Sequence, residues 1–572
     1  MGPLLGPPPK FPGAVEPFEP EKGYPDWPSL IGKDQDVWRQ AVQSASGPVV
    51  LIPSNTGLHG AVVTLDSLLA VALTMRGARV RFVLCDGVLQ GCLMTTYSER
   101  TPPSMIAQRE LVGTLCKACF NRGTRVFRAL DLPVRRLSDF LESADYQEVA
   151  EAVAGLEPRE FPTWRPDGVS VGEHAWAGAL RYFARGDLAG EPLGEEVARR
   201  FLEGGALAAR AMARIVAAEK PDVAVLHHGI YSPQGVAAEV LRRAGTRVAT
   251  WVVAYRRNCF IFSHDDTYHH TLIDEPTAAW EDMELDDQQE HAILDYLASR
   301  AGGARDWIYF HSEPDAGFAA YAASEGIDLG KPLVTALTNV VWDAQLHYPA
   351  NVFPTMLDWL RETIGRFAGR PDLQLLIRVH PAETRGGVKS RQLCEDELRT
   401  AFPELPPNVF VAGPEASVNT YSAAAASNAC LIFGTKMGAE LTPLGVRCII
   451  AGEAWIRGKG LTIDAQSKEH YFELLSQLPF AESASRPDRE RALKYAYHFF
   501  FRRMMPLEFL EPNGSSAMFG LDIQGLADLL PGRHAGLDAI CDGLMSGAPF
   551  IYAAERYGVH DRGAVAGSSE TR

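Results

Sequence analysis

Pro48-Val-Val-Leu-Ile-Pro-Ser-Asn55, an apolar run closed by polar residues, has the pattern of a strand buried on both faces of a parallel sheet. The glycine-bearing loop Thr56-Gly57-Leu58-His59-Gly60 follows. Then comes VVTLDSLLAVALTMRGA, whose apolar residues recur at helical spacing up to Gly77. The next run, RVRFVLCDG, reads as a second strand. Strand, helix and strand joined by short connections imply a parallel pair, and hence an open α/β sheet.

The alternation continues outward. ALDLPVRRLSDFL supplies a short helix–strand passage, and a long helical stretch from Glu195 to Lys220 precedes the strand of PDVAVLHHG. VAAEVLRRAG and TRVATWVVAY add a helix and a strand, and this half closes near residue 315. A second set opens at KPLVTALTNVVWDAQ, Lys331 to Gln345, with a helix predicted over Met356 to Ala368 and then the strand LQLLIRVHP. NVFVAGP, a helix around Tyr421 to Ser427, NACLIFG and VRCIIAG complete it. The expected fold class is α/β: two Rossmann-like, doubly wound domains facing across a cleft. The expected division is a proline-rich arm over 1–45, an acceptor-side domain over 46–315, a nucleotide-sugar-side domain over 331–530, and a helical segment and tail over 531–572.

The bulk properties agree. A chain of 572 residues exceeds one ordinary core, and 46% apolar with 22% charged residues is ordinary globular composition. A net charge of −16 argues against a sequence-independent nucleic-acid binder, which needs a basic surface to displace counterions. No run of about 18 apolar residues suggests a membrane span, and the N-terminus lacks the build of a signal peptide. A cytoplasmic location is expected. Nine prolines among the first 28 residues predict an extended arm.

Open α/β sheets bind ligands beyond the carboxyl ends of their strands, so the residues after each strand are the candidates. Asn428 to Gly445 brings a strand to Gly434 and Thr435 and starts a helix near Met437. Small residues such as Gly434 and Gly438 let backbone N–H groups approach an anion, and a helix N-terminus adds partial positive charge. Thr435 offers a hydroxyl and Lys436 a charge to a phosphate. Glu440, one turn on, is placed to accept from a ribose or sugar hydroxyl. The plainer alternative is a packed turn whose polar residues are caps. Arg378-Val-His-Pro-Ala-Glu383 ends another apolar strand, where Pro381 biases His380 to extended geometry. His380 can then bond a donor phosphate, with Arg378 and Glu383 in support.

On the other side, Leu226-His-His-Gly-Ile-Tyr-Ser-Pro-Gln-Gly235 describes a further cleft edge. Side chains alternate across a strand, so one of His227 and His228 is expected to reach the cleft. His228 is a candidate to orient or activate an acceptor hydroxyl. His59, with Asp66 further along the following helix, is another candidate for the acceptor-activating base, unless that carboxylate is only surface charge. Tyr255 to His269 surrounds an apolar FIF with polar groups. Arg256, Arg257, His264 and Asp265 suit an acidic or polyhydroxylated acceptor, unless the stretch is a solvated hairpin loop. Cys85, Cys92, Cys116 and Cys119 include one CxxC pair, a pattern compatible with a structural zinc or iron–sulfur site or with buried thiols.

HHGIYSPQG, FIFSHDDTYH, RVHPAE and FGTKMGAELTPLGVRCIIAG together resemble bacterial capsule polysaccharide biosynthesis proteins, relatives of the Kdo- and sialic-acid-type glycosyltransferases of GT-B architecture. The resemblance covers roughly positions 48 to 480. It implies transfer of a sugar from a nucleotide-activated donor to a surface-polysaccharide or glycolipid acceptor, with no catalytic metal required. It also implies that His380 and Pro381 contact the donor's phosphate, that the Gly434–Thr435 turn completes the site, and that Glu440 faces the donor. Gly434-Thr435 stands where several relatives carry Ser-Thr, and the acidic base motif of polysialyltransferases is missing, so the catalytic base is open. The expected partners are a nucleotide sugar and a polysaccharide or glycolipid, with no nucleic acid. Peripheral membrane association is compatible with a glycolipid acceptor. A non-hydrolysing nucleotide-sugar epimerase and a non-catalytic carbohydrate-binding assembly partner are alternatives on the same scaffold.

Overall fold

The computed structural model describes residues 6–7, 21, 23–96, 99–300, 305–307, 317–512 and 519–559. Strands β1 (Val49–Pro53), β2 (Arg79–Leu84), β3 (Val134–Arg136), β4 (Val223–His227), β5 (Arg247–Val253) and β6 (Cys259–His264) form one sheet in the order β3-β2-β1-β4-β5-β6. β1 to β5 run parallel, each apolar run buried as its composition requires, whereas β6 returns antiparallel to β5. The FIF stretch is therefore the middle of a strand rather than a solvated loop. A second, wholly parallel sheet contains β7 (Leu333–Leu337), β8 (Gln374–Arg378), β9 (Val409–Ala412), β10 (Ala429–Ile432), β11 (Cys448–Ile450) and β12 (Ile463–Asp464), in the order β12-β11-β10-β7-β8-β9.

Both sheets reverse their strand order once. In the first, the chain runs outward from β1 to β3 and restarts at β4 on the other side of β1. In the second it runs from β7 to β9 and restarts at β10. Beyond such a reversal the connections leave in opposite directions and open a crevice at the strands' carboxyl ends. This is the expected fold class, two Rossmann-like sheets facing across a cleft.

The helix Gly60–Met75 is apolar on every side and buried along its whole length except at Met75. Its covering comes partly from the far end of the chain. Helix Arg489–Tyr497, a π-helical turn at His498–Arg502, β13 (Met505–Pro506) and helix Ala535–Ser546 return to the first layer. There β13 pairs antiparallel with β6, and Asp538 binds Arg76. Phe499, Phe500 and Phe501 are buried in that core. This aromatic segment, placed by the sequence in the domain over 331–530, packs on the first sheet rather than the second. β14 (Leu510–Pro512) and β15 (Phe519–Leu521) make a small separate hairpin.

The arm expected over 1–45 includes two helices, Trp27–Lys33 and Gln35–Ser44. The Asp26 side chain caps the first by accepting the Ser29 N–H at 3.2 Å, and Pro28 occupies the first turn, where its missing donor costs nothing. Most of the proline-rich remainder, the boundary near 315 and the tail beyond 559 lie outside the described residues. Among the described residues, no helix is long and apolar enough to cross a membrane.

Candidate functional site

The carboxyl ends of β7, β8 and β10 wall a cavity of about 540 Å³, closed on its other side by Arg181, Tyr255, Tyr268 and His269 of the first half. Arg378, His380, Pro381, Gly434, Thr435 and Lys436 all line it, so the strand-end segments marked in the sequence open onto one space. Arg378 is the last residue of β8. Its guanidinium donates to the carbonyls of Val379 at 3.1 Å and Gly413 at 2.5 Å, while its buried Nε has no partner. Burial depresses its pKa to about 10, with no carboxylate ion-paired to it among the described residues. A buried cation without a counter-charge on a cavity wall favours an anionic ligand.

His380 stands two residues past the end of β8. Its backbone N–H donates to Thr338 Oγ1 at 2.9 Å, and its Nδ1 accepts the Ala382 N–H at 3.0 Å. With Nδ1 occupied as an acceptor, the neutral ring carries its proton on Nε2 as a donor. Thr435 Oγ1 accepts the Met437 N–H at 3.4 Å, and the helix that follows, Met437–Leu441, is only five residues long.

Three predicted donor residues are turned to other work. Glu440 is fully buried and accepts from Lys436 Nζ at 2.6 Å, Arg300 Nε at 2.9 Å and the Tyr421 hydroxyl. Burial alone would raise its pKa; Arg300 and Lys436 outweigh this and hold the carboxyl near 2. Every oxygen is spoken for, so Glu440 faces the protein's own cations rather than a sugar. Gly438 accommodates Ile456, whose Cγ2 would stand 2.6 Å from an added Cβ. Glu383 is buried and accepts the Cys394 N–H at 3.3 Å, and burial raises its pKa to about 7.

In the first half, the strand-order reversal brings the loop after β1 beside the end of β4. His59 precedes the helix Gly60–Met75, its ring 5.5 Å from that of His227, which lies 4.9 Å from His228. The expected alternation of the two histidines stops at the strand end, because His228 adopts a left-handed backbone with φ 69°. Burial lowers the imidazoles of His59 to about 4 and His228 to about 3, with Arg181 adding to both. Asp66 does not join them. It lies fully buried within its helix, where Oδ1 accepts the Trp251 Nε1–H at 3.2 Å.

None of the four predicted acceptor residues lines the cavity. Arg256 is buried, donates to the Phe500 carbonyl at 3.1 Å and lies over the Phe501 ring. Arg257 donates to the Asp306 carbonyl at 3.0 Å. His264 bonds the Ala548 carbonyl at 2.8 Å and stacks on Phe550, and Asp265 is exposed at the end of β6. Tyr255, Tyr268 and His269 of the same stretch line the cavity instead.

The cavity residues the sequence did not single out include Arg181 and Asp343. Arg181 comes from the helix Val171–Phe183 and Asp343 from the loop after β7, and they pair across the cleft at 2.8 Å. Trp342 and Tyr231 flank the guanidinium with their rings. KPLVTALTNVVWDAQ contains Asp343, but nothing local marks it.

The metal site expected at the cysteines is not found in the arrangement of their side chains. Among the described residues no three His, Cys, Asp or Glu side chains are grouped to hold a metal ion. Burial raises Cys119 to about 12 and Cys92 above its ordinary value. Their segment packs tightly, since a Cβ on Gly57 would overlap the Cys119 carbonyl.

Fold and site thus define a two-domain α/β protein with a cation-walled, aromatic-lined cavity between the carboxyl edges of its sheets. No protein-family model and no curated protein sequence matches the chain. Among solved structures it is similar to Thermosulfurimonas dismutans KpsC, a β-Kdo 2,4 transferase, at 14% identity over 54% of this chain and 87% of that one, with a TM-score of 0.33. It is also similar to the UDP-GlcNAc 2-epimerase of Neisseria meningitidis bound to UDP-GlcNAc, at 9% identity over 79% of this chain and 97% of that one, with a TM-score of 0.27. The Methanocaldococcus jannaschii UDP-GlcNAc 2-epimerase in complex with UDP-GlcNAc and UDP matches at 13% identity over 78% and 97%, again at 0.27. Likeness at this level says nothing further about the chain.

Proposed function

We propose that this protein is a glycosyltransferase that moves a sugar from a nucleotide-activated donor to a polysaccharide or glycolipid acceptor. The observation that carries the reading is a buried arginine on the cavity wall, Arg378, with no ion-paired carboxylate among the described residues and a partnerless Nε, beside His380 on the same wall. A diphosphate or monophosphate is a ligand group that would meet the Arg378 Nε there. The cavity's volume of about 540 Å³ falls within the range of pockets for ligands of nucleotide-sugar size. Trp455 and Tyr255 are among the aromatic residues of its wall.

Transfer breaks the bond between the anomeric carbon and the donor phosphate, so positive charge grows on the sugar and negative charge on the phosphate. Arg378 and the His380 Nε2–H, already fixed, stabilise that phosphate as it departs. Calorimetry of the protein with uridine, cytidine and guanosine phosphates, followed by transfer assays, tests the reading. His380→Ala is expected to lower transfer about ten- to a thousandfold, and Arg378→Met to weaken nucleotide binding at least tenfold. Absence of nucleotide binding, or folded variants that bind and transfer like the wild type, would remove the proposal. Epimerised donor formed without any acceptor would replace transfer by epimerisation.

A further inference from the structure

The cavity holds a carboxylate built differently from every other acid near it. Asp343 Oδ1 accepts two donors, Arg181 Nη1 at 2.8 Å and the Tyr231 hydroxyl at 2.5 Å. The same Tyr231 oxygen accepts the Ala344 N–H at 3.1 Å, so the hydroxyl is fixed from both sides. Ala344 has φ 47°, a left-handed conformation that a non-glycine residue holds only when its surroundings impose it. With Oδ1 clamped, the side chain keeps 42% of its surface open on the cavity wall. The other acids of that wall are placed otherwise. Asp306 is buried against Arg300 and the Tyr296 hydroxyl, and Glu453 accepts a backbone N–H from Ala350.

We propose that Asp343 takes the proton of the acceptor hydroxyl, with Arg181 and Tyr231 anchoring Oδ1 and Oδ2 presented to the substrate. The inference rests on the transfer reading above and deepens it by assigning the base that the sequence left open. The acceptor O–H gives its proton to Oδ2, and the oxygen's electron pair forms the bond to the anomeric carbon. The bond from that carbon to the donor phosphate breaks, and its electrons leave with the nucleotide, against Arg378 and His380. Around Asp343 stand Arg181, Tyr231, His228, His269, Tyr268 and Tyr348. Burial pushes the carboxyl up, but Arg181 and the Tyr231 hydroxyl outweigh it and keep it ionised at neutral pH, the form a base needs. Burial holds His228 and His269 neutral, so neither supplies a competing full positive charge.

The test uses full-length protein and reads transfer, nucleotide binding and the pH–rate profile together. Asp343→Asn is expected to lower kcat for transfer by about a hundred- to ten-thousandfold while nucleotide affinity stays within threefold, and Asp343→Glu to recover part of the loss. Tyr231→Phe removes a donor to the ionised carboxylate, so the acidic limb of the profile should move to higher pH. Three results each overturn the proposal: Asp343→Asn transferring within threefold of wild type, nucleotide affinity falling in proportion to transfer, or a Tyr231→Phe profile whose limb does not move. If Asp343→Asn does not fold, Asp343→Glu and Tyr231→Phe decide alone. Wild-type protein that transfers no sugar takes the transfer reading and this one together, whereas an active wild type with an active Asp343→Asn sinks only this one.

Discussion

Asp66 shows how burial decides the chemistry of a single group. Burial raises its carboxyl from the ordinary 3.8 to about 7, against the opposing hydrogen bond from Trp251. Between those values the folded state holds a proton that the unfolded chain has released. The resulting stability is complete below about pH 4 and is lost as pH rises through 7. Asp66→Asn keeps an acceptor for Trp251 and cannot ionise. Thermal melts from pH 5 to 8 should therefore fall more steeply for wild type than for the variant, by up to about 3 kcal/mol at about 1.4 kcal/mol per unit over the two units below pH 7. Parallel curves would show that Asp66 does not titrate in this range. The same burial explains why the sequence misassigned it. Glu383 and Glu440 lie shortly after a strand and Asp66 within the helix that follows one, where an acid looks like a ligand group, and burial is not a local property. The place of His380 on the cavity wall was legible because a strand end followed by proline is local information. Asp343 was not, since its partners Tyr231 and Arg181 lie 112 and 162 residues away in the chain.

At the scale of elements, alternating apolar runs specified strands and helices, and the helix predicted over Met356–Ala368 has those bounds. Strand direction was less legible. β6 has the same apolar pattern as its parallel neighbours, and only the short connection after Val253 turns it antiparallel. The CxxC spacing was real but expresses packing. The loop after β1 runs directly over the helix Lys117–Arg128, with Gly57 and Gly123 at the crossing. A Cβ on either would stand 3.0 Å from the other's Cα. Backbone cannot give way as the end of a side chain can. Gly57→Ala should therefore cost about 1–3 kcal/mol, as overpacking does, and lower the urea midpoint with the slope unchanged. A midpoint equal to wild type would show that loop and helix part easily. Because His59 ends the same loop, the variant should also loosen the histidine cluster, visible as broadened imidazole resonances.

Across the whole molecule, two ionic bridges join the halves on either side of the cavity, Arg181–Asp343 and the group formed by Arg300, Asp306, Lys436 and Glu440. The first is partly open to solvent. In the second, the Arg300, Asp306 and Glu440 side chains are each no more than 6% exposed. Its two cations and two carboxylates balance, with the Tyr421 and Tyr296 hydroxyls filling remaining sites. Such a group contributes little net stability when complete, because desolvation offsets attraction, yet breaking it leaves an uncompensated buried charge. Glu440→Gln is therefore expected to destabilise the protein by about 3–5 kcal/mol. Removing a cation as well, in Glu440→Gln/Lys436→Met, restores the balance and should recover part of that loss, giving a coupling energy in the double-mutant cycle. Arg300 ends a helix of the first half and Glu440 belongs to the second, so the loss should appear as earlier separation of the halves in denaturant. Lys436 loses its Glu440 anchor in the single variant, so nucleotide affinity should change as well. If Glu440→Gln unfolds at the wild-type midpoint, water reaches these charges and the halves are held by apolar packing alone.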